Sequence, residues 1–589
     1  MPSHSNTITE NTKLIRGKQS PAESDDSSVE LAGHSNDGSD DKPLATGGMV
    51  DIWRLSQAGY LTQYFAVGLI YGGLPATVYG FFIGYLNVPA HVYSTAGVIM
   101  SMPWSFKFLF GLLSDCVPMF GYRRKPYMCI GWGFCCMMLL VLSQRSLPPP
   151  YWCKDPATGI YIVKETLADG TKRAATPCNA DAAKRGGQFA MLMMLAALGY
   201  VVADVAADGL TVQYARREPT SQRGRTQTTA YLTRTMGQVC AIMLVGFGMN
   251  GKEYNGTFAH GLSFNAICGC LAVPAGLMVP VSWFLIQEPK VVDRPSLRGY
   301  LTTTLQLLRS RAMFYVVLYQ FLTPMIGNIS TTSGGLVKRY WAGVQNLQNQ
   351  LFSLVGHGLF GIGLYMVRRY FLDRSWRLML LSTTVLLNVV DMPFVFLTVY
   401  DVVRNQYFYL GETVLVEVPA AANFVVSTFV IVEMADNCNE GLVYGLLTTT
   451  HNLGGPIARA IGNQLFGLFT PSLSEADNYL ADTPHFRNVV AFSFLLSYVF
   501  AFASLLVLAL LPDQKEETQL RKRTWPQRDR YAVFTLVLIG VGLSYALSVN
   551  LLSMFESTMC LRFAGGSGCT DDAAGAATTT NATLTGTIK

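Results

Sequence analysis

The chemistry in this chain is concentrated in charged side chains set inside apolar stretches. Asp204 and Asp208 stand four apart in the run ADVAADG, and Arg234 follows in the next apolar segment with Gly237 and Gln238 behind it. The pattern returns later as Asp436, Glu440 and Gly441, then Arg459, Gly462 and Asn463. Residues four apart share a helix face, so each copy presents an edge of two carboxylates. Ionisable groups at bilayer depth are expensive, and they face a bundle interior or a water-filled path where partners exist. Counting about 1.5 Å per residue from the turn between neighbouring antiparallel helices puts Asp204 and Arg234 within about one helical turn of the same depth. A cross-helix ion pair is expected there, and the same count serves Asp436 and Arg459. Such pairs suit two roles: fixing helix packing, or forming a substrate or coupling-ion site between two related halves. Gly237 and Gly462 would leave room for a close helix contact or a ligand.

Lys107, flanked by Trp104 and Phe106, adds a cation that could attract an anionic ligand or neutralise a helix acid. Asp391 and Glu417 fall where a helix end could meet water, and His357 suits a packing hydrogen bond better than proton carriage. Gly72, Gly73, Pro75, Pro103, Pro324, Gly454, Gly455 and Pro456 punctuate the apolar runs, where such residues allow bends or broken helices. Between two of the runs, GLLSDCVPMFGYRRKPY sets Asp115 opposite Arg123, Arg124 and Lys125 across a short loop.

These residues need membrane-spanning elements to position them. Half of the 589 residues are hydrophobic, 14% are charged, the net charge is +6, and mean hydropathy is +0.29. Basic residues gather in short loops, which fits bilayer orientation and not a nucleic-acid footprint. Crossing a bilayer takes about 20 apolar residues. Spans are predicted near 61–86, 92–114, 127–146, 188–214, 227–249 and 264–287, then near 313–333, 349–371, 376–400, 414–440, 446–469 and 487–511, with one more at 531–553. The loop charges favour a cytoplasmic N-terminus.

The predicted organisation is a disordered cytoplasmic tail (1–50), an N-terminal six-helix bundle (51–287), a cytoplasmic linker (288–312), a C-terminal six-helix bundle (313–512), a charged cytoplasmic segment (513–530), an extra transmembrane helix (531–553) and a disordered outer tail (554–589). On this topology the sequons at Asn255 and Asn581 lie outside and are candidate glycosylation sites. Cys153 and Cys178 share the long outer loop and form a candidate disulfide. No metal-ligand spacing occurs, and no cofactor is expected.

The stretch from Gly111 to Tyr127, with ADVAADG at 203–209 and the Arg234, Gly237, Gln238 arrangement, resembles the folate-biopterin transporter family of the major facilitator superfamily over roughly residues 51–512. The resemblance implies an all-α membrane protein with a major facilitator-type fold: two pseudo-symmetric six-helix bundles, here with one additional C-terminal transmembrane helix. It implies alternating access, with Asp115, Arg123 and Arg124 in a cytoplasmic gate and Asp204, Asp208 and Arg234 in the transport path. Asp436, Glu440 and Arg459 join them by the internal match alone.

The substrate expected from the family is a folate, a pterin or a similar aromatic organic anion. Protons are the expected coupling partner, because protonation of a carboxylate next to an arginine weakens its hold and frees the arginine for substrate. A folate needs cationic donors at one end, for which Arg234, Arg459 and Lys107 are candidates. It needs aromatic walls at the other, for which Tyr71, Tyr79, Trp104 and Phe321 are candidates. The same inventory would accept another small organic metabolite, such as a nucleoside-like or amino-acid-derived compound, and would suit a non-transporting sensor. A channel would need a continuous polar pore, and an enzyme would need motifs that are absent here: zinc spacing, a nucleotide loop or a nucleophile elbow. The expected setting is a monomeric multi-pass protein of the plasma membrane.

Overall fold

Apolar runs broken by Gly, Pro and short polar loops fold as helices, because only a helix satisfies its own backbone polar groups in hydrocarbon. The computed structural model describes residues 58–166, 172–215, 217–218, 225–290, 296–371, 374–434, 440–566 and 568–569. The N-terminal bundle comprises α1 (Ala58–Val78), which continues as a π-helical segment at Tyr79–Tyr85, then α2 (Ala90–Ile99), a 3-10 turn (Met102–Phe106), α3 (Lys107–Cys116), α4 (Lys125–Gln144), α5 (Gly186–Ala215), α6 (Arg225–Gly248) and α7 (Phe264–Phe284). The connecting helix is α8 (Leu297–Leu308). The C-terminal bundle comprises α9 (Arg311–Gly327), α10 (Gly334–Leu336) running into a second π-helical segment (Val337–Trp341), α11 (Asn346–Tyr370), α12 (Trp376–Val399), α13 (Gln406–Leu415), α14 (Glu417–Met434), α15 (Glu440–Phe466), the short α16 (Ala476–Ala481) and α17 (Pro484–Ala503). Two helices follow, α18 (Lys515–Thr524) and α19 (Asp529–Leu552).

Ten helices among the described residues are long and apolar enough to cross a membrane, and α2 with Met102–Cys116 forms a broken span bent by 42°. Two of the thirteen predicted spans fall short of that measure for physical reasons. The first, α9, has only 17 residues, and α15 dilutes its apolar run with His451, Asn452, Arg459, Asn463 and Gln464. Polar caps set several starts: Ser263, Ser310, Ser375, Asn405 and Thr483 accept backbone N–H groups at the beginnings of α7, α9, α12, α13 and α17. Pro103 opens the 3-10 turn that breaks the second span, and this break aims Trp104 and Lys107 inward.

Close helix crossings position the charged residues. A side chain at Gly68 on α1 would strike the backbone oxygen of Arg234 on α6, and one at Gly237 would strike the backbone oxygen of Phe65. Between α4 and α5, a Cβ at Gly131 would lie 2.6 Å from the Gly199 oxygen. These small residues let the backbones meet at van der Waals distance.

The loop between α4 and α5 carries two antiparallel ribbons, β1 (Cys153–Lys154) with β2 (Tyr161–Ile162), and β3 (Lys164–Thr166) with β4 (Lys172–Ala174). The Cys153–Cys178 disulfide, with Cα atoms 5.1 Å apart, closes this loop. Beyond α19 the chain differs from the prediction of disorder from 554 onward. Residues 554–566 are folded, and Cys560 is bonded to Cys569. The Phe563 oxygen accepts from Gln464 at 3.0 Å, and the Met559 oxygen lies 3.0 Å from His91 Nε2. Composition suggested a solvated tail, but the disulfide and these contacts hold the segment against both bundles.

The tight α1–α6 crossing yields a direct test. Gly237→Val should abolish recovery of monodisperse protein in fluorescence-detected size exclusion, whereas Gly540→Val, in open space on α19, should leave the profile unchanged.

Candidate functional site

A neutral cluster of two cations and two carboxylates is buried in the N-terminal bundle. The Lys107 ammonium bonds directly to Asp208 and lies 3.5 Å from Asp204, whose side chain is wholly buried. Tyr64 Oη donates to Asp208 Oδ1 at 3.0 Å and meets Thr211 Oγ1 at 2.6 Å. Arg234 does not form the expected direct pair. Among the described residues no ion pair within 4.0 Å joins it to Asp204 or Asp208. Its guanidinium instead lies over the rings of Tyr71 at 4.8 Å, Trp104 at 5.5 Å and Tyr231 at 5.8 Å, within electrostatic reach of both acids. Lys107, just past the 42° bend of the second span, meets the acids directly, and Arg234 lies over the aromatic faces, where a desolvated cation gains about 2 kcal/mol.

The loop after α3 is tied to this cluster. Arg124 Nη2 bonds Asp115 Oδ1 at 3.1 Å, and the Arg124 guanidinium fills the space where a side chain at Gly209 would lie, one residue from Asp208. A side chain at Gly209 would oblige the Arg124 guanidinium to move from this seat. Backbone N–H groups of Arg123, Arg124 and Lys125 donate to the Glu288 carboxylate at 2.9, 3.0 and 3.0 Å, an anion at the start of α4 where the helix dipole favours it. Between loop and cluster lies a space of about 470 Å³ lined by Lys107, Asp115, Arg123, Arg124 and Asp208.

A larger cavity of about 890 Å³ lies between the bundles. Tyr71, Tyr79, Trp104 and Gln238 line it from the N-terminal bundle, and Arg459, Asp391 and His357 from the other. Arg459 Nε is buried with no hydrogen-bond partner among the described residues. The His357 ring nitrogen lies 2.7 Å from the Ser353 oxygen of its own helix. Phe321 is elsewhere. It is buried in the core against Gly542, because α19 packs over α9 at that point. Asp436 and the side chain of Glu440 lie outside the described residues, as does Asn581.

Above the cavity the two π-helical segments meet. Tyr79 Oη donates to the Val344 oxygen at 2.5 Å, Tyr340 Oη donates to Asn87 Oδ1 at 2.5 Å, and the Lys338 ammonium lies 5.3 Å from the Tyr79 ring centre. Asn346 and Gln350 add cross-bundle bonds to the Met249 oxygen at 2.7 Å and the Ala76 oxygen at 2.9 Å. Asn255 donates its side-chain amide to Val344 at 2.7 Å, so the nitrogen a glycan would occupy is committed to this contact. At the opposite end the bundles touch through Phe108 N to Thr449 Oγ1 at 3.0 Å and through Tyr231 and Tyr444, whose hydroxyls are 3.3 Å apart.

Tyr64, Glu288, Lys338 and Tyr444 are absent from the sequence reading. A signal existed for the first: Tyr60, Tyr64, Gly68 and Tyr71 recur at helical spacing along one face of α1. Glu288 and Tyr444 carry no local pattern, since their partners lie far away in the chain.

A cavity between two helical bundles, entered by broken helices and lined by buried charge, defines a multi-pass membrane transporter of the major facilitator fold. Solved structures with this fold match most of the chain. A peptide transporter POT in complex with sulfate is 13% identical with a TM-score of 0.51, over 81% of this chain and 98% of that one. The inward-open xylose transporter XylE from E. coli is 11% identical with a TM-score of 0.51, over 80% and 100%. A sequence model described as BT1 family matches residues 68–147. A folate-biopterin transporter of Synechocystis sp. is 22% identical over 442 residues, which are 72% of this chain and 77% of that one. A probable folate-biopterin transporter 4 of Arabidopsis thaliana is 24% identical over 156 residues, 26% of this chain and 25% of its own length. The resemblance to the folate-biopterin transporter family is borne out. As a transporter of this fold the chain handles small molecules.

The charge cluster predicts a non-additive mutant series. Lys107→Ala leaves two carboxylates buried without a cation and should destabilise the protein by about 3–5 kcal/mol, read as a fall in melting temperature. Adding Asp208→Asn should restore part of that loss, because one carboxylate can then pair with Arg234. A double variant no more stable than the single one would show that Lys107 is not the neutralising partner.

Proposed function

We propose that this protein carries a folate, a pterin or a similar aromatic organic anion across the plasma membrane by alternating access, coupled to protons, as a monomer with its N-terminus in the cytoplasm. One observation carries the reading: Arg459, whose buried Nε has no hydrogen-bond partner among the described residues, lines a cavity whose other wall is Tyr71, Tyr79 and Trp104. A guanidinium matches a carboxylate fork, and the aromatic faces match a flat ring system. About 890 Å³ falls within the usual range of small-molecule pockets. The names of the Synechocystis and Arabidopsis relatives support the same substrate class.

Lys107 is occupied by two acids, so substrate attraction falls to Arg459, which lines the cavity, and to Arg234, which makes no direct ion pair with Asp204 or Asp208. Proton uptake by the acid pair would weaken its hold on Lys107 and slacken the link through Gly209 to Arg124 and Asp115, which we assign to the cytoplasmic gate. Coupling would then run from the acid pair to the loop that must open.

Uptake of labelled folate and biopterin in cells lacking their own carrier, with and without a proton gradient, tests the proposal. Wild-type protein should give saturable, gradient-dependent uptake. Arg234→Ala should abolish it at unchanged surface level, and Arg459→Ala should lower it by about 10- to 100-fold, the worth of a hydrogen bond to a charged group. Uptake of a nucleoside but of no pteridine would overturn the substrate assignment, and unitary currents would overturn the carrier mechanism.

A further inference from the structure

The cavity holds one acid that the charge cluster leaves unused. Asp391 lies on α12 and lines the cavity with Asn388, one turn earlier, and with Tyr498 of α17. Tyr498 Oη donates to Asp391 Oδ2 at 2.6 Å. Among the described residues no Lys, Arg or His lies within ion-pair distance of this carboxylate, while Lys107, Arg124 and Arg404 are each engaged with other acids. The wall opposite the N-terminal aromatic rings therefore carries both a cation, Arg459, and an anchored acceptor, Asp391.

We infer that Asp391, oriented by Tyr498, selects the ring of the substrate by accepting two N–H groups from its amidine-like edge. A carboxylate is acceptor-only and offers about four lone-pair sites, of which the tyrosine uses one, so a pair of parallel N–H donors can still be met. The ring N–H and adjacent exocyclic amine of a 2-amino-4-oxopteridine form such a pair, and Arg459 is left for the acidic end of the molecule. The inference rests on the pteridine reading above and extends it to a residue that decides between pteridines. An amide in place of the acid reverses one of its two positions from acceptor to donor. A 2,4-dioxopteridine, which has an oxygen where the amine was, fits the amide and repels the carboxylate.

The experiment measures binding of pterin and of lumazine, its 2-oxo counterpart, to purified full-length protein by thermal shift, for wild type, Asp391→Asn and Tyr498→Phe. Wild type should prefer pterin by about tenfold or more, since a mismatched buried polar pair is poorly tolerated. Asp391→Asn should lose or invert that preference while remaining folded, and Tyr498→Phe should reduce it less. A ratio unchanged in Asp391→Asn would overturn the inference and leave the transport reading intact. So would an unchanged ratio accompanied by uptake that no longer depends on the proton gradient, which would make Asp391 the coupling acid. A wild-type protein that binds and transports no pteridine would overturn both.

Discussion

Burying Lys107 between Asp204 and Asp208 is the interaction on which the rest of the N-terminal bundle depends. Two carboxylates on one helix face in a low-dielectric interior repel each other, and burying both without a cation is costly. The ammonium resolves both problems, and Arg234 brings the local charge to neutrality without a direct bond. Several features of the backbone serve this arrangement. Pro103 breaks the second span so that Lys107 points inward, Gly68 and Gly237 let α1 and α6 close on Arg234, and Gly209 gives Arg124 a seat beside Asp208.

The same cluster explains how distant parts of the fold can communicate. Arg124 touches Asp115 of α3 and the backbone of α5 at once, so packed, hydrogen-bonded groups lie between the Lys107–Asp208 contact and the loop after α3. Glu288, at the end of the N-terminal bundle, holds the start of α4 in place. On the other side of the cavity the two π-helical segments interlock through Tyr79, Val344 and Tyr340. Their occurrence at matching places in the two halves shows the internal duplication more clearly than the charge pattern does.

The halves have nonetheless diverged in the use of charge. In the first, Lys107 meets both Asp204 and Asp208. In the second, Arg459 lines the cavity with a buried Nε that has no hydrogen-bond partner among the described residues, and Asp391 accepts from Tyr498. Such asymmetry suits a carrier whose two walls perform different tasks, one responding to protonation and one holding the ligand.

The chain alone determined that the charged residues of the apolar runs face the bundle interior, that Asp204 and Asp208 share a face, that the spans number about what a major facilitator needs, and that the loop around Asp115 and Arg124 belongs at one end. Those conclusions follow from helical periodicity and the energetics of hydrocarbon, which act locally and can be read residue by residue. Which cation reaches which acid was decided by tertiary structure. Depth counting paired Asp204 with Arg234, but a proline-broken helix elsewhere in the sequence delivered Lys107 first. Phe321 has the composition of a cavity wall yet packs under α19, and Asn255 reads as a sequon yet bonds across the bundles. The segment after α19 has the composition of a loose tail yet is held by a disulfide and by α15. In each case the deciding partner lies far off in sequence, and only the packing of the helices brings the two together.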